Sequence, residues 1–280
     1  MTQFAADEQF VLKRWKPVQL GGWRTFIFDE GAGLPLVFTP IAQNIEVFHS
    51  PLMQHYAGRF RVITYQRRES TSEYLEAWDR ASDLKLVLDD LGIDSAHFIS
   101  HSSGAIATAH FALAHPEVVQ SLVLMNWCAY YPHLQGWRTV LNDKIAPLLP
   151  SKLVLWFFIP YMARRGTPEY HHIYQQFNKF DQLQLHLKYS INRIVQTHDI
   201  RSDLHRIRAP ILLINRDDDY IVPMKEMEYL AQHLPNCYGL KVVHGGGHFF
   251  HYTFPEAMVG FIDQFYSEIG IDDRETCLRE

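Results

Sequence analysis

Cysteine is scarce in this chain. Its 280 residues include three, Cys128, Cys237 and Cys277. An odd, widely spaced set without paired motifs argues against a disulfide framework and against a zinc site. Charge of one sign is also scarce. Lys and Arg number 26 against 31 Asp and Glu, a formal net charge of −5, and like charges form no run. That balance offers no electrostatic footprint for nucleic acid. No long apolar run is unbroken. Ile145 to Ala163 is apolar, but Pro147, Pro150, Lys152 and Pro160 interrupt it, so it does not read as a membrane span. Met1 to Phe10 carries Asp7 and Glu8 and lacks the apolar core of a signal peptide. There is no internal repeat and no low-complexity segment. The histidines show no metal-ligand spacing, and adjacent His171 and His172 would point apart on a helix. The expectation is a cytoplasmic protein with no nucleic acid or membrane partner, no metal and no cofactor. The oligomeric state is left open.

Apolar residues make up 47% of the chain, enough for a full core in one α/β domain with an inserted subdomain. Lys16 to Leu20 and Trp23 to Phe28 flank Gly21-Gly22, a two-residue hairpin signal. Leu36 to Thr39, Phe60 to Tyr65, Ala96 to Ile99, Leu122 to Met125, Ile211 to Ile214 and Leu240 to Val243 read as short buried strands. Glu73 to Leu91 reads as a helix, with Leu75, Trp78, Ala81, Leu84, Leu88 and Leu91 on one face and Gly92 as its stop. Further helices are expected after Ser102 to about His115, over Met224 to Leu234 and over Pro255 to Tyr266. Alternating strands and helices imply a mostly parallel sheet covered on both faces.

Three segments carry chemistry, each following a strand. Ser100-His101-Ser102-Ser103-Gly104 lies between a strand and a small-residue helix. That is the setting of a nucleophile elbow, in which a sharp turn lifts a serine hydroxyl out of the sheet beside a helix N-terminus. A serine in this place also suits a plain helix N-cap. Ile211 to Ile214 leads into Asp217-Asp218-Asp219-Tyr220-Ile221-Val222-Pro223. Val242-Val243 leads into His244-Gly245-Gly246-Gly247-His248-Phe249. Nucleophile, acid and base appear in that order, and a neutral imidazole oriented by a buried carboxylate can take a serine proton.

These segments together resemble the α/β-hydrolase superfamily, over nearly the whole chain. Ala114-His115-Pro116-Glu117 before Leu122-Val123-Leu124 belongs to the same resemblance. It implies Ser102 as nucleophile, Asp219 as acid and His248 as base. Register with Pro223 favours Asp219 over Asp217 and Asp218. His244 stands early for the base, His251 suits helix entry or a pocket, and His101 suits shaping of the turn. The resemblance also implies an oxyanion site from the backbone N–H groups of Ser103 and Ala42, with His101, Trp127, Gln43 and His251 near the substrate. Two departures stand out. Thr39-Pro40-Ile41-Ala42-Gln43 replaces the family's usual His-Gly, and Tyr65-Gln66-Arg67-Arg68-Glu69-Ser70-Thr71-Ser72 lacks the usual glycines.

The core is expected over 1–130 and 209–280, with a helical cap over 131–208. The cap segment is dense in aromatics, including Trp137, Trp156, Phe157, Phe158, Tyr161, Tyr170 and Phe177. The expected activity is cleavage of an ester, a thioester or a carbonyl-flanked C–C bond in an apolar or aromatic molecule through an acyl-enzyme. Two alternatives stay open. The Ser-His-Ser elbow and Met125-Asn126-Trp127 resemble cofactor-independent ring-cleaving dioxygenases of N-heteroaromatics, whose acid stands at the position of Asn126. A non-catalytic binding protein on the same scaffold is the other.

Overall fold

The computed structural model describes residues 9–41, 46–68, 75–131, 145, 148–178 and 197–271. Eight strands form one sheet: β1 Lys16–Leu20, β2 Trp23–Glu30, β3 Pro35–Thr39, β4 Arg61–Tyr65, β5 Ala96–His101, β6 Val119–Met125, β7 Ile211–Arg216 and β8 Cys237–Val243. Their order across the sheet is β1-β2-β4-β3-β5-β6-β7-β8. Pairings from β4 to β8 are parallel, and β2 runs antiparallel to both β1 and β4. Leu20 pairs with Trp23 across the hairpin, and Gly21 takes φ +56 at its first central position.

The helices are α1 Ser50–Tyr56, α2 Ala77–Asp90, α3 Ser103–Ala114, α4 Ser151–Phe158, α5 Pro168–Asn178, α6 Met224–His233, α7 Phe250–Thr253 and α8 Pro255–Glu268. Because helices cover both faces, successive residues of the central strands enter opposite cores. Phe98, Leu122, Leu124, Ile211 and Leu213 join the core shared with α2, α3 and α6. Ile99, Val123, Met125, Leu212 and Ile214 join the core shared with α1 and α8. Strand sequences of this kind are continuous apolar runs, which is why they were legible. A third cluster lies away from the sheet. Ile41, Phe48, Phe249 and Tyr252 pack there with Leu155, Ile159 and Met162, and with Ile173 and Phe177 of α5.

Several boundaries differ from the sequence expectation. β5 continues two residues past Ile99, to His101, so the turn is tighter than the apolar run suggests. α2 starts at Ala77, where a capping box between Glu76 and Asp79 sets its first turn. Ala81, Leu84 and Leu88 face the core as expected, but Trp78 is half exposed and packs edge-to-face with the His110 ring at a centroid distance of 4.5 Å. Among the described residues of 131–208 there is α4, a 3-10 turn at Ile159–Tyr161, α5 and a 3-10 turn at Arg201–Arg206. An isolated bridge joins Tyr130 to Asp199. No helix among the described residues is long and apolar enough to cross a membrane.

Candidate active site

Only Ser102 separates the end of β5 from the start of α3. It takes φ +53 and ψ −124, a region nearly closed to side-chain-bearing residues, at a cost on the order of 1–3 kcal/mol. The surroundings hold it there. Its N–H donates to Met125 O at 2.9 Å, and its carbonyl accepts from Ala105 N at 2.9 Å. Gly104 has no room for a side chain, since a Cβ would stand 2.6 Å from Thr39 O. Where an elbow usually has its first glycine, Ser100 is fully buried, with Oγ 2.7 Å from Thr108 Oγ1. Thr108 Oγ1 in turn lies 2.8 Å from Thr39 Oγ1. A small hydroxyl chain under the turn takes up the space that glycine would leave.

Asp219 follows β7 in a loop that satisfies its carboxylate completely. Oδ1 accepts the N–H groups of Ile221 at 2.7 Å and Val222 at 2.9 Å. Oδ2 lies 2.9 Å from His248 Nδ1. Burial acts to raise the pKa of Asp219, but the neighbouring His248 and these hydrogen bonds outweigh it and hold the carboxyl below its usual value. The neighbouring acids are engaged elsewhere. Asp217 pairs with His244 at 2.7 Å on the surface, and Asp218 pairs with Arg216.

His248 is delivered by three consecutive glycines, Gly245, Gly246 and Gly247, all with positive φ between +69 and +81. The run lets the chain turn sharply out of β8. His248 N–H then donates to Met162 O at 2.5 Å. Its carbonyl accepts from His101 Nε2 at 2.8 Å and from Asn126 Nδ2 at 3.0 Å. Its ring Nε2 lies 3.1 Å from Ser102 Oγ. With Nδ1–H donating to Asp219, Nε2 carries the lone pair that faces the Ser102 hydroxyl. The three residues therefore form one hydrogen-bonded line, Ser102–His248–Asp219, drawn from the ends of β5, β8 and β7.

The remaining expected site residues lie in different places. His101 is fully buried beneath His248, with ring centroids 4.7 Å apart. His251 is fully buried too, 4.4 Å from His101 and 4.8 Å from His49. Burial holds His101 and His251 well below the usual imidazole value and pushes His49 down to about 3. All three rings thus stand neutral near pH 7, enclosed by protein. Trp127 is fully buried in the core shared with α2 and α3. Ser103 Oγ donates to Ile41 O at 2.7 Å, tying the start of α3 to the segment that follows β3. Ala42 and Gln43 fall outside the described residues, as do Glu69 to Ser72 and Cys277. Among the described residues no cluster of His, Cys, Asp or Glu is placed to hold a metal.

Asn126 at the end of β6 has a larger place in this site than its sequence context indicated. It is buried, takes φ +48 and reaches both Asp219 and His248. In the sequence it is marked only as the position, at the end of the strand between β5 and β7, where the ring-cleaving dioxygenases carry their acid. The contact of His248 with Met162 carried no such signal.

The alpha/beta hydrolase family model matches residues 32–261. A relative called carbamate hydrolase RutD, an activity it holds by name alone, comes from Caulobacter sp. (strain K31). It is 30% identical over 236 residues, covering 79% of this chain and 85% of its own. Among solved structures, a thermophilic esterase from Thermogutta terrifontis superposes with a TM-score of 0.77 at 18% identity, over 91% of this chain and 99% of that one. The enol-lactonase from Burkholderia xenovorans LB400 superposes with a TM-score of 0.75 at 16% identity, over 90% and 100%. At such identities the two structures speak to the fold alone. The strand order, the turn at Ser102 and a family match running from residue 32 to residue 261 agree, and the chain belongs to the alpha/beta hydrolase family.

Proposed function

We propose that this protein is a serine hydrolase that cleaves an ester, thioester or carbonyl-flanked C–C bond of an apolar or aromatic small molecule through an acyl-enzyme. The observation that carries the proposal is the line from Ser102 Oγ through His248 to Asp219, at 3.1 and 2.9 Å. Ser102 Oγ attacks the substrate carbonyl carbon and passes its proton to His248 Nε2. The carbonyl π pair moves onto oxygen, where the N–H groups of Ser103 and Ala42 stabilise it. Collapse of that intermediate expels the leaving group, which takes the proton from Nε2. Water then attacks the acyl-enzyme, His248 accepts its proton, and Ser102 departs with that proton. Asp219 keeps the His248 tautomer throughout and stabilises the transient imidazolium. The name shared by the RutD relatives adds carbamates, whose carbonyl is open to the same attack.

The substrate-enclosing part of this reading is a helical cap over 131–208 on a core of 1–130 and 209–280. The helices α4 and α5 support it, and so does their apolar cluster with Phe48 and Phe249 beside His248. An aromatic wall there would favour apolar acyl or aryl groups, with burial contributing roughly 25 cal/mol per Å².

The test is labelling with a fluorophosphonate, followed by peptide mapping, and a panel of p-nitrophenyl, thioester and carbamate substrates. Labelling on Ser102 that disappears in Ser102→Ala is the expected result. Turnover of any panel substrate by Ser102→Ala near the wild-type rate would exclude nucleophilic catalysis at this residue. A preference for short polar acyl groups would remove the aromatic pocket from the reading.

A further inference from the structure

We infer that Asn126 is a positioning residue for the base, locking Asp219 and His248 together through its side-chain amide. The inference rests on the reading of Ser102, His248 and Asp219 given above and extends it to a fourth side chain. Asn126 Nδ2 lies 2.9 Å from Asp219 Oδ2 and 3.0 Å from the His248 carbonyl oxygen. Both partners are acceptors, so the two amide hydrogens account for both contacts. The reverse orientation of the amide would set its oxygen against a carboxylate and a carbonyl at those distances, which is repulsive.

The same nitrogen lies 3.1 Å from His248 Nδ1. It has no lone pair to offer, so it does not compete for the Nδ1 proton. Asn126 and His248 Nδ1 instead donate to Asp219 Oδ2 from two sides. The carboxylate oxygen cannot rotate away from the imidazole without losing both. One side chain thereby fixes the backbone of His248, the rotamer of Asp219 and the imidazole tautomer that leaves Nε2 free for Ser102.

The backbone explains the choice of residue. φ at Asn126 is +48, a conformation that asparagine tolerates better than most residues. Its N–H donates to Ile214 O at 3.1 Å, so it ties β6 to β7, the strand that precedes Asp219. A carboxylate at this position would sit against Asp219 Oδ2, where two ionised carboxylates repel and favour a proton nearby. The titratable groups around His248 are Asp219 at Nδ1 and His101 beneath the ring, with His251 beyond it.

The experiment uses p-nitrophenyl ester turnover and the fluorophosphonate labelling rate from pH 5 to 9. Asn126→Gly removes the amide and accepts the positive φ, while Asn126→Asp keeps the shape and changes the charge. Asn126→Gly is expected to lower kcat about 10- to 100-fold, the rate equivalent of a hydrogen bond to a charged group, with KM changed less than about threefold. Asn126→Asp is expected to move the acidic limb of kcat/KM upward by about one pH unit, because the added carboxylate favours imidazolium. A purely structural role would lower the melting temperature of Asn126→Gly and leave kcat of the folded enzyme unchanged. Unchanged kcat in Asn126→Gly, or an unmoved limb in Asn126→Asp, would overturn the inference while an inactive Ser102→Ala still upheld the nucleophile. A Ser102→Ala variant of full activity would instead remove the reading on which the inference rests.

Discussion

His248 hangs by its backbone N–H from the carbonyl of Met162, 2.5 Å away and 86 residues earlier in the chain, counting from 162 to 248. The proposed base is therefore held partly by a segment outside the sheet. Gly247 makes the approach possible, since a Cβ on it would meet Met162 O at 2.5 Å and its φ is +69.

This contact makes Gly247→Ala informative. The added methyl must displace Met162 or swing His248 away from Ser102. A displacement of about 1 Å at a reacting group costs on the order of 100-fold in rate. The expected outcome is a large fall in kcat in a protein that still unfolds cooperatively. Steady-state kinetics beside thermal unfolding would check it, and full activity would show that the Met162 contact is not needed.

Ser102 stores strain that its removal should release. At φ +53 a glycine avoids the steric cost that alanine retains. Ser102→Gly is expected to be about 1 kcal/mol more stable than Ser102→Ala, with both inactive. Urea unfolding of the two variants measures the difference. Equal stability would mean that the turn relaxes once the hydroxyl is gone.

Gly104 tests whether crowding or helix propensity governs the start of α3. Alanine is the better helix former by about 1 kcal/mol. Here its Cβ would stand 2.6 Å from Thr39 O and 3.2 Å from Pro40 O, both backbone atoms that do not swing aside. Gly104→Ala is expected to destabilise by about 1–3 kcal/mol, as overpacking does. A rise in melting temperature would show that β3 and α3 can separate at no cost.

His49 makes the fold sensitive to acid. Burial pushes its imidazole down to about 3, against a smaller raising effect of the Thr39 backbone, while in the unfolded chain it titrates near its ordinary 6.5. Between those values the unfolded state binds the extra proton. The contribution is therefore complete above the unfolded value and is lost as pH falls toward the folded one. At pH 5 the loss from this residue is about 2 kcal/mol. His49→Gln is expected to make the pH dependence of unfolding shallower by roughly one proton between pH 6 and 4. An unchanged slope in urea titrations would show that His49 does not govern it.

Much of this protein was legible in its sequence because the physics involved is local. A strand covered on both faces must be apolar at every position, so Ile211 to Ile214 and Leu122 to Met125 announce themselves. Gly104 and the run Gly245 to Gly247 mark backbone that tolerates no side chain or must take positive φ. Ser102, Asp219 and His248 stand at strand ends, where a parallel sheet gathers its loops on one edge. Tertiary structure decided the rest. Register with Pro223 singles out Asp219 in the sequence, but only the fold supplies the contacts, sending Asp217 to a surface histidine and Asp219 to His248. His101, read as a turn or substrate residue, supports the His248 carbonyl from beneath. Asn126 gained a place in the site because β6 lies between the strands that carry Ser102 and Asp219. Hydrogen bonds that span 93 to 147 residues leave no periodicity to read, since their partners meet only after the sheet has assembled.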